Sequence, residues 1–435
     1  MSRHGTIAGP RTAGDSRTST QHIPATSRPA VDTGDAAVAE SRRIMVVYGT
    51  RPEAVKVAPV IQALSGSAHF TPVVAVTGQH RSMLDQVNEV FGISPDVDLD
   101  IHQPGQSLTD ITGRALAGLQ RELAAQRPDA VIVQGDTTTT FTAALAAFYE
   151  RVPVVHIEAG LRTNDPASPF PEEINRRLTS QLASLHCAPT ATSRENLLRE
   201  NVAPDTIVVT GNSVIDALLW TVDRHVGYGD PLLDTLDDDD RRVLLVTAHR
   251  RESWGEPLRG IGRALARIAE DDPDLHVVFP MHRNPRVREA VMPSLAGLPN
   301  VTVTEPLPYG GFCRLMHRAH VILTDSGGVQ EEGPSLGRPV LVMRDTTERP
   351  EAVRAGTARL VGTDEDRIVH EVTSLLDDAH AYAAMANAVN PYGDGLAAAR
   401  TVAALADFFG VGPRMPDFTP LEGGVPLRRA PVPVA

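Results

Sequence analysis

Short apolar runs recur along this chain, and each gives way to a segment of helical period. The first series is 44–48, 73–76, 130–133 and 152–157, and it closes with 206–210 before Gly211-Asn212-Ser213. An aspartate-rich stretch, 230–240, separates it from a second series at 243–246, 276–279, 301–303, 321–323 and 340–343. Brief Val- and Ile-rich runs bounded by breaks read as buried strands. Strands that alternate with helices imply right-handed crossovers and a parallel sheet covered on both faces. Two such series predict an α/β fold of two doubly wound, Rossmann-like domains facing across a cleft. Ligands of these sheets sit outside the carboxyl ends of the strands, so the strand exits are where chemistry is expected.

A chain of 435 residues suits two cores. We divide it into 43–210 and 211–389. Residues 1–42 and 410–435 read as a disordered extension and tail, because prolines and small residues replace any apolar period there. The net charge of −13 disfavours nucleic acid, which wants a basic face. No apolar run has the length of a membrane span, so no membrane partner is expected. Cys187 and Cys313 lie far apart and form no CxxC, as in a reducing, cytoplasmic setting.

The exits of the first series carry acids. From Val154 to Arg177 the chain reads VVHIEAGLRTNDPASPFPEEINRR. Glu158 ends a buried run, where a carboxylate needs a partner or a task. Glu172 and Glu173 follow a proline-rich loop, either as ordinary first-turn acids or with one of them reaching the cleft. Asp136 is either a helix cap or a third acid of the same site. Arg51 and Lys56 stand near a helix start, where the dipole disfavours cations, so they ask for an anion.

The second series ends in groups suited to phosphate. Ser326-Gly327-Gly328 joins a strand to a helix start that can approach and hold an anion, or is simply a turn with a Ser cap. Glu332 lies one turn further on, placed to accept from ribose hydroxyls. Arg349 follows the next strand with a planar fork for phosphate oxygens. His249 and His282 each stand at a strand exit, and two histidines without a spaced third ligand make no zinc site. There is no GxxxxGK[ST] loop, and the match to a dinucleotide fingerprint at 393–398 lacks a preceding strand. The ligand expected is a nucleoside diphosphate, with neither metal nor cofactor.

In this order, GTRPEAVKVAPVI, TGQHRSMLDQV, QGDTTTTFTAALAAFYERVPVVHIEAGLRT, PFPEEINRRLTSQLA, TGNSVIDALLW, VTAHRRESWG, LTDSGGVQEEGPSLGRPVLVMRDTTERPEAVRAGT and NPYGDG resemble the non-hydrolysing UDP-N-acetylglucosamine 2-epimerases. The resemblance spans about 44–409. It implies a GT-B-like fold, with a C-terminal helix within 390–409 returning to the first domain, and a homodimer. The implied reaction interconverts UDP-GlcNAc and UDP-ManNAc, supplying ManNAc-type sugars for cell-surface polysaccharide. The acids credited with proton transfer match Asp136, Glu158 and Glu172, and His249 matches a histidine beside the UDP phosphates. Nucleotide contacts match Arg51, Lys56, Ser326, Gly327, Gly328, Glu332 and Arg349, with Phe312 on the uracil side. Some members bind a second UDP-GlcNAc as activator, which here would meet Gln79, His80, Arg81 and His282. Ser82 and Leu307 depart from the family pattern, near the activator and the uracil respectively.

Carbon 2 of GlcNAc is not next to a carbonyl, so direct removal of its proton is unfavourable. With no nicotinamide site in the sequence, the expected route is elimination of UDP to 2-acetamidoglucal and re-addition. A GT-B glycosyltransferase is the rival reading, since it would share the nucleotide half.

Overall fold

The computed structural model describes residues 41–79 and 81–420. Strands β1 (Arg42–Tyr48), β2 (Phe70–Val76), β3 (Val97–Asp98), β4 (Ala130–Gln134), β5 (Val154–Ile157), β6 (Leu185–Ala188) and β7 (Ile207–Val209) form one sheet in the order β3-β2-β1-β4-β5-β6-β7. Its helices are α1 (Arg51–Ser65), α2 (Arg81–Phe91), α3 (Leu108–Gln126), α4 (Thr138–Tyr149), α5 (Glu172–Leu182), α6 (Ala191–Arg199) and α7 (Ser213–Val222). A second sheet runs β10 (Val301–Thr304), β9 (Leu275–Pro280), β8 (Arg242–Thr247), β11 (Val321–Thr324), β12 (Val340–Val342), β13 (Ala358–Leu360). Around it lie α8 (Glu256–Asp271), α9 (Pro285–Leu295), α10 (Tyr309–Arg318), α11 (Gly327–Ser335), α12 (Pro350–Arg354), α13 (Glu365–Asp377) and α14 (Ala379–Ala386), before a last helix α15 (Ala397–Phe408). The pairings in both sheets are parallel.

The pleat sends alternate residues to opposite faces. Ile44, Val46 and Tyr48 join α1 and α7 in one core, whereas Met45 and Val47 pack with α3 and α4. In the second sheet Val243 and Leu245 belong to the first of these cores, while Leu244 and Val246 face α8 and α9. A single apolar body therefore runs from one sheet to the other through α1, α7 and α10. Each fully buried Val, Leu or Ile in it is worth about 1.5–3 kcal/mol relative to exposure. Helix α7 packs on α1 and on α10, and α15 returns to lie against α1, α7 and β6.

Three strands escaped the sequence reading: β3, β6 and β13. They are two to four residues long, and β6 (LHCA) has no β-branched residue to mark it. The segment read as a loose C-terminal tail also needs correction. Phe418 is buried and its N–H donates to Val209 O at 2.7 Å, so residues up to 420 are fastened beside β7. Arg400 Nε also donates to Pro416 O at 3.2 Å and its guanidinium lies 5.5 Å from the Phe418 ring centroid, so this stretch is held despite its prolines. The proposed extension up to residue 40 and the tail beyond 420 lie outside the described residues. Among the described residues no helix is long and apolar enough to cross a membrane.

Candidate active site

In each sheet the strand order reverses once, between β1 and β4 and between β8 and β11. Crevices open at such reversals. The sequence-predicted residues fall on the exits of these strands and their neighbours.

In the first sheet, β1 ends in a capping box at the start of α1. The N–H groups of Gly49 and Thr50 donate to Glu53 Oε2 at 3.1 and 2.8 Å. The Thr137 hydroxyl reaches Glu53 Oε1 at 2.7 Å, which ties the β4 exit to the β1 exit. Burial pushes the Glu53 carboxyl upward, against these hydrogen bonds. Glu53 received no role from the sequence, although Thr50 three residues before Glu53 is the signature of such a box. Arg51 and Lys56 ride on the helix so anchored.

Gly135 turns the chain after β4 with φ of +71°, a conformation glycine adopts without steric cost, and Asp136 follows. Asp136 does not cap α4; the Thr137 side chain does, accepting from Thr140 N at 3.1 Å. The Asp136 carboxylate instead accepts from Arg176 Nε at 3.0 Å and from its Nη2. Glu158 follows β5 in a left-handed conformation, φ +63°, which is rare for a residue with a side chain. It is 9% exposed and accepts from Lys56 Nζ at 2.5 Å, Gln134 Nε2 at 2.5 Å and Asn212 Nδ2 at 3.1 Å. Burial alone would raise its pKa, but the Lys56 charge and hydrogen bond outweigh that and hold it below the ordinary value. Lys56 is shifted the opposite way: burial disfavours its charge, and Glu158 and Glu331 more than restore it.

The adjacent pair Glu172 and Glu173 divides cleanly. Glu173 is fully buried and accepts from the N–H groups of Thr163 and Asn164, and from Arg176 and Arg177. It fastens the proline-rich loop to α5. Glu172, the first residue of α5, is partly exposed and its carboxylate makes no hydrogen bond or ion pair among the described residues, which leaves it available.

In the second sheet, Asp325 follows β11 and holds the β8 exit. Its Oδ2 accepts from the N–H groups of His249 and Arg250 at 2.6 and 2.8 Å, and its Oδ1 lies 2.8 Å from His249 Nδ1. A carboxylate only accepts, so Nδ1 carries a proton there and Nε2 is the nitrogen left for a ligand. The side chain of Ser326 makes no cap bond to α11, which removes the plain N-cap reading. A Cβ on Gly327 would lie 3.2 Å from Arg349 Cζ, so the missing side chain lets the guanidinium lie against the helix start. Arg349 Nε donates to Glu331 Oε1 at 2.8 Å. Burial opposes its charge, yet Glu331 and Glu348 raise its pKa further. Glu332 is buried and pushed up to about 7 by burial and the neighbouring Glu331, with Lys56 and Arg51 pulling the other way. Phe312 is partly buried on α10 beside the shared core, which also contains Leu307.

The residues named for an activator lie on three segments, after β2, at the start of α2 and after β9. Gln79 Oε1 accepts from the Thr139 hydroxyl at 3.1 Å, and its backbone O lies 3.1 Å from His102 Nδ1. Arg81 and Ser82 begin α2, and His80 lies outside the described residues. His282 stacks on His249 with ring centroids 6.1 Å apart, which places it beside the β8 exit.

Among the described residues no three potential ligands converge on a metal position. A separate cavity of about 580 Å³ lies where the second-sheet strands begin, lined by Arg241, Arg242, Arg314, Arg318, Arg338 and His320. Asp239, Asp272 and Asp237 pair with Arg241, Arg242 and Arg314. Arg318 and Arg338 bind backbone carbonyls. Its charge is thus largely compensated, and it lies at the edge of the sheet opposite the strand exits.

Two parallel sheets facing each other, with carboxylates and phosphate-type cations meeting at their strand exits, define an α/β protein of the GT-B-like, nucleotide-sugar class. A family profile described as UDP-N-acetylglucosamine 2-epimerase matches residues 62–406. The chain belongs to this family, whose activity is that of an isomerase. It is 57% identical over 369 residues to the UDP-N-acetylglucosamine 2-epimerase of Escherichia coli K12, covering 83% of this chain and 98% of that protein. The crystal structure of the Neisseria meningitidis UDP-GlcNAc 2-epimerase bound to UDP-GlcNAc superposes with a TM-score of 0.76 at 47% identity, covering 84% of this chain and all of that one. The Methanocaldococcus jannaschii enzyme in complex with UDP-GlcNAc and UDP gives 0.69 at 32% identity, over 84% and 99% of the two chains.

Proposed function

We propose that this enzyme interconverts UDP-GlcNAc and UDP-ManNAc by eliminating UDP and adding it back. The observation that carries the reading is the meeting of Glu158 and Lys56 from the first half with Glu331 and Arg349 from the second in one buried polar cluster. The bond from carbon 1 to the UDP oxygen breaks, with its electron pair leaving on UDP. A base takes the carbon 2 proton and the electrons of that bond form the double bond of 2-acetamidoglucal. The return reverses these events with the proton delivered to the other face.

Asp136, Glu158 and Glu172 serve as the proton-transfer set. Arg51, Lys56, His249, Arg349 and the Ser326-Gly327-Gly328 helix start stabilise the departing diphosphate, each key donor contributing about 2.7–4 kcal/mol in the transition state. Glu332 takes the ribose and Phe312 the uracil side. A second UDP-sugar acting as activator is assigned to Gln79, His80, Arg81 and His282, supported by the stacking of His282 on His249.

Residues 43–210 with the returning helix, and 211–389, are the two working units. Phe170, Ile174 and Leu178 are exposed at four-residue spacing on and before α5, and Phe148 and Tyr149 are exposed at the end of α4, which packs on α5. Such an apolar face supports a homodimer through the first sheet's helices. The free, buried thiols of Cys187 and Cys313 suit a cytoplasmic enzyme, whose product would serve polysaccharide synthesis.

Proton NMR of UDP-GlcNAc with the protein in heavy water tests the reaction. UDP-ManNAc labelled at carbon 2 is expected without any acceptor. Retention of the original proton rejects the elimination, and a requirement for an acceptor favours a glycosyltransferase. Sedimentation of the wild type against Ile174→Asp tests the dimer, which the charge should dissociate.

A further inference from the structure

The side-chain amide of Asn212 lies between carboxylates from the two halves. Its Nδ2 is 3.1 Å from Glu158 Oε1 and 2.6 Å from Glu331 Oε2. Carboxylates only accept, so both hydrogens of the amide are committed, one to each half. The amide cannot turn over at no cost, because its Oδ1 accepts from Val214 N at 3.3 Å to cap α7. Glu331, 3% exposed, uses its other oxygen to accept from Arg349 Nε at 2.8 Å. Lys56, Glu158, Asn212, Glu331 and Arg349 thus form an unbroken chain of bonds across the molecule.

The C-terminal NPYGDG segment braces this chain. Asn390 Nδ2 donates to the backbone O of Glu331 at 2.8 Å, and the Asn212 N–H donates to Tyr392 O at 2.6 Å. Both linking residues are therefore fixed by backbone and side chain together.

A carboxylate here is expensive for an anion-binding site. Glu331 neutralises Arg349, the cation assigned to the diphosphate, and it lies close enough to Glu332 to disfavour a second negative charge. Buried ion pairs are weak evidence for stability, since a well-packed neutral group often serves as well. What Glu331 supplies that a neutral residue lacks is a fixed direction for the Arg349 fork. Nε is held by Glu331, and the guanidinium is laid over Gly327 at the start of α11.

We propose that Glu331 and Asn212 are positioning residues that hold Arg349 and Glu158 in register across the two halves. The inference rests on the elimination reading, in which Glu158 moves a proton while Arg349 receives the charge of departing UDP. Neither linking residue contacts the sugar in that scheme; each acts through the residue it holds.

Turnover at saturating substrate and UDP affinity by titration calorimetry, measured on Glu331→Gln, Asn212→Ala and the double variant, test it. Glu331→Gln should lower kcat by about 30-fold or more while UDP binds as tightly as before or more tightly, because Arg349 loses a competing anion. Asn212→Ala should lose a similar factor, and the double variant should be no slower than the slower single one. A kcat within about threefold of wild type, equal losses in kcat and UDP affinity, or losses that multiply in the double variant would overturn the proposal. If Asn212→Ala does not fold, the isosteric Glu331→Gln decides alone. Carbon 2 labelling by the wild type keeps the two ideas separable. Labelling with an unimpaired Glu331→Gln removes only the positioning role, whereas an unlabelled wild-type product removes the scheme beneath it.

Discussion

The two sheets share a topology yet end in different chemistry. At the exits of β4 and β5, and at the start of α5, the first half presents Asp136, Glu158 and Glu172, with cations beside the first two. At the exits of β8, β11 and β12 the second half presents His249, an uncapped helix start and Arg349, each backed by a carboxylate or bare backbone N–H groups. In the first half the cations serve the acids; in the second the acids serve the cations. On the proposed reading the contrast is a division of labour, in which the first half supplies the proton-transfer acids and the second supplies most of the groups assigned to the diphosphate, joined by Arg51 and Lys56.

The sharpest way to break that contrast is to neutralise one member of each half and see which quantity moves. Glu158→Gln should lower kcat by about 10³-fold while UDP affinity changes by less than about fivefold. It should also cost about 3 kcal/mol of stability in urea, because Lys56 is left buried without its partner. Arg349→Ala should differ in kind, weakening UDP binding by roughly 10²-fold in direct titration as well as lowering kcat. If Glu158→Gln abolished UDP binding, or Arg349→Ala left it intact, the division between halves would fail.

A smaller effect sharpens the picture within the second half. The Glu332 carboxyl, raised to about 7, binds its proton more tightly folded than unfolded. Its contribution to stability is therefore full below the ordinary carboxylate range and is lost as pH rises through about 7. Glu332→Gln should match the wild type near pH 4 and exceed it by about 2 kcal/mol near pH 8, read from urea midpoints. Because a ribose hydroxyl would favour the ionised carboxyl, UDP binding near pH 6.5 should release a fraction of a proton (on the order of half). Calorimetry in buffers of different ionisation enthalpy measures that release, and uptake instead would remove Glu332 from the ribose.

Much of this was legible in the sequence, because strands buried on both faces announce themselves as Val- and Ile-rich runs and strand exits announce the site. Legibility failed where a short edge strand such as β3 or β13 carries too few residues to show a period. It failed again where helix phase decides between neighbours. Glu172 and Glu173 look alike in sequence, yet the latter is consumed by the loop it fastens. Glu331 and Glu332 also look alike, yet the former faces Asn212 and Arg349. Arg176 and Asp325 were invisible as partners because neither belongs to a local pattern with the residue it holds, forty and seventy-six positions away in the chain.

The apolar body shared through α1, α7 and α10 has a mechanical consequence. Along that seam the sheets cannot separate without wetting side chains that are now dry, at a cost of about 1.5–3 kcal/mol for each fully buried aliphatic side chain exposed. The same seam makes each half a part of the other's core, and heat or denaturant should dismantle both in a single cooperative step.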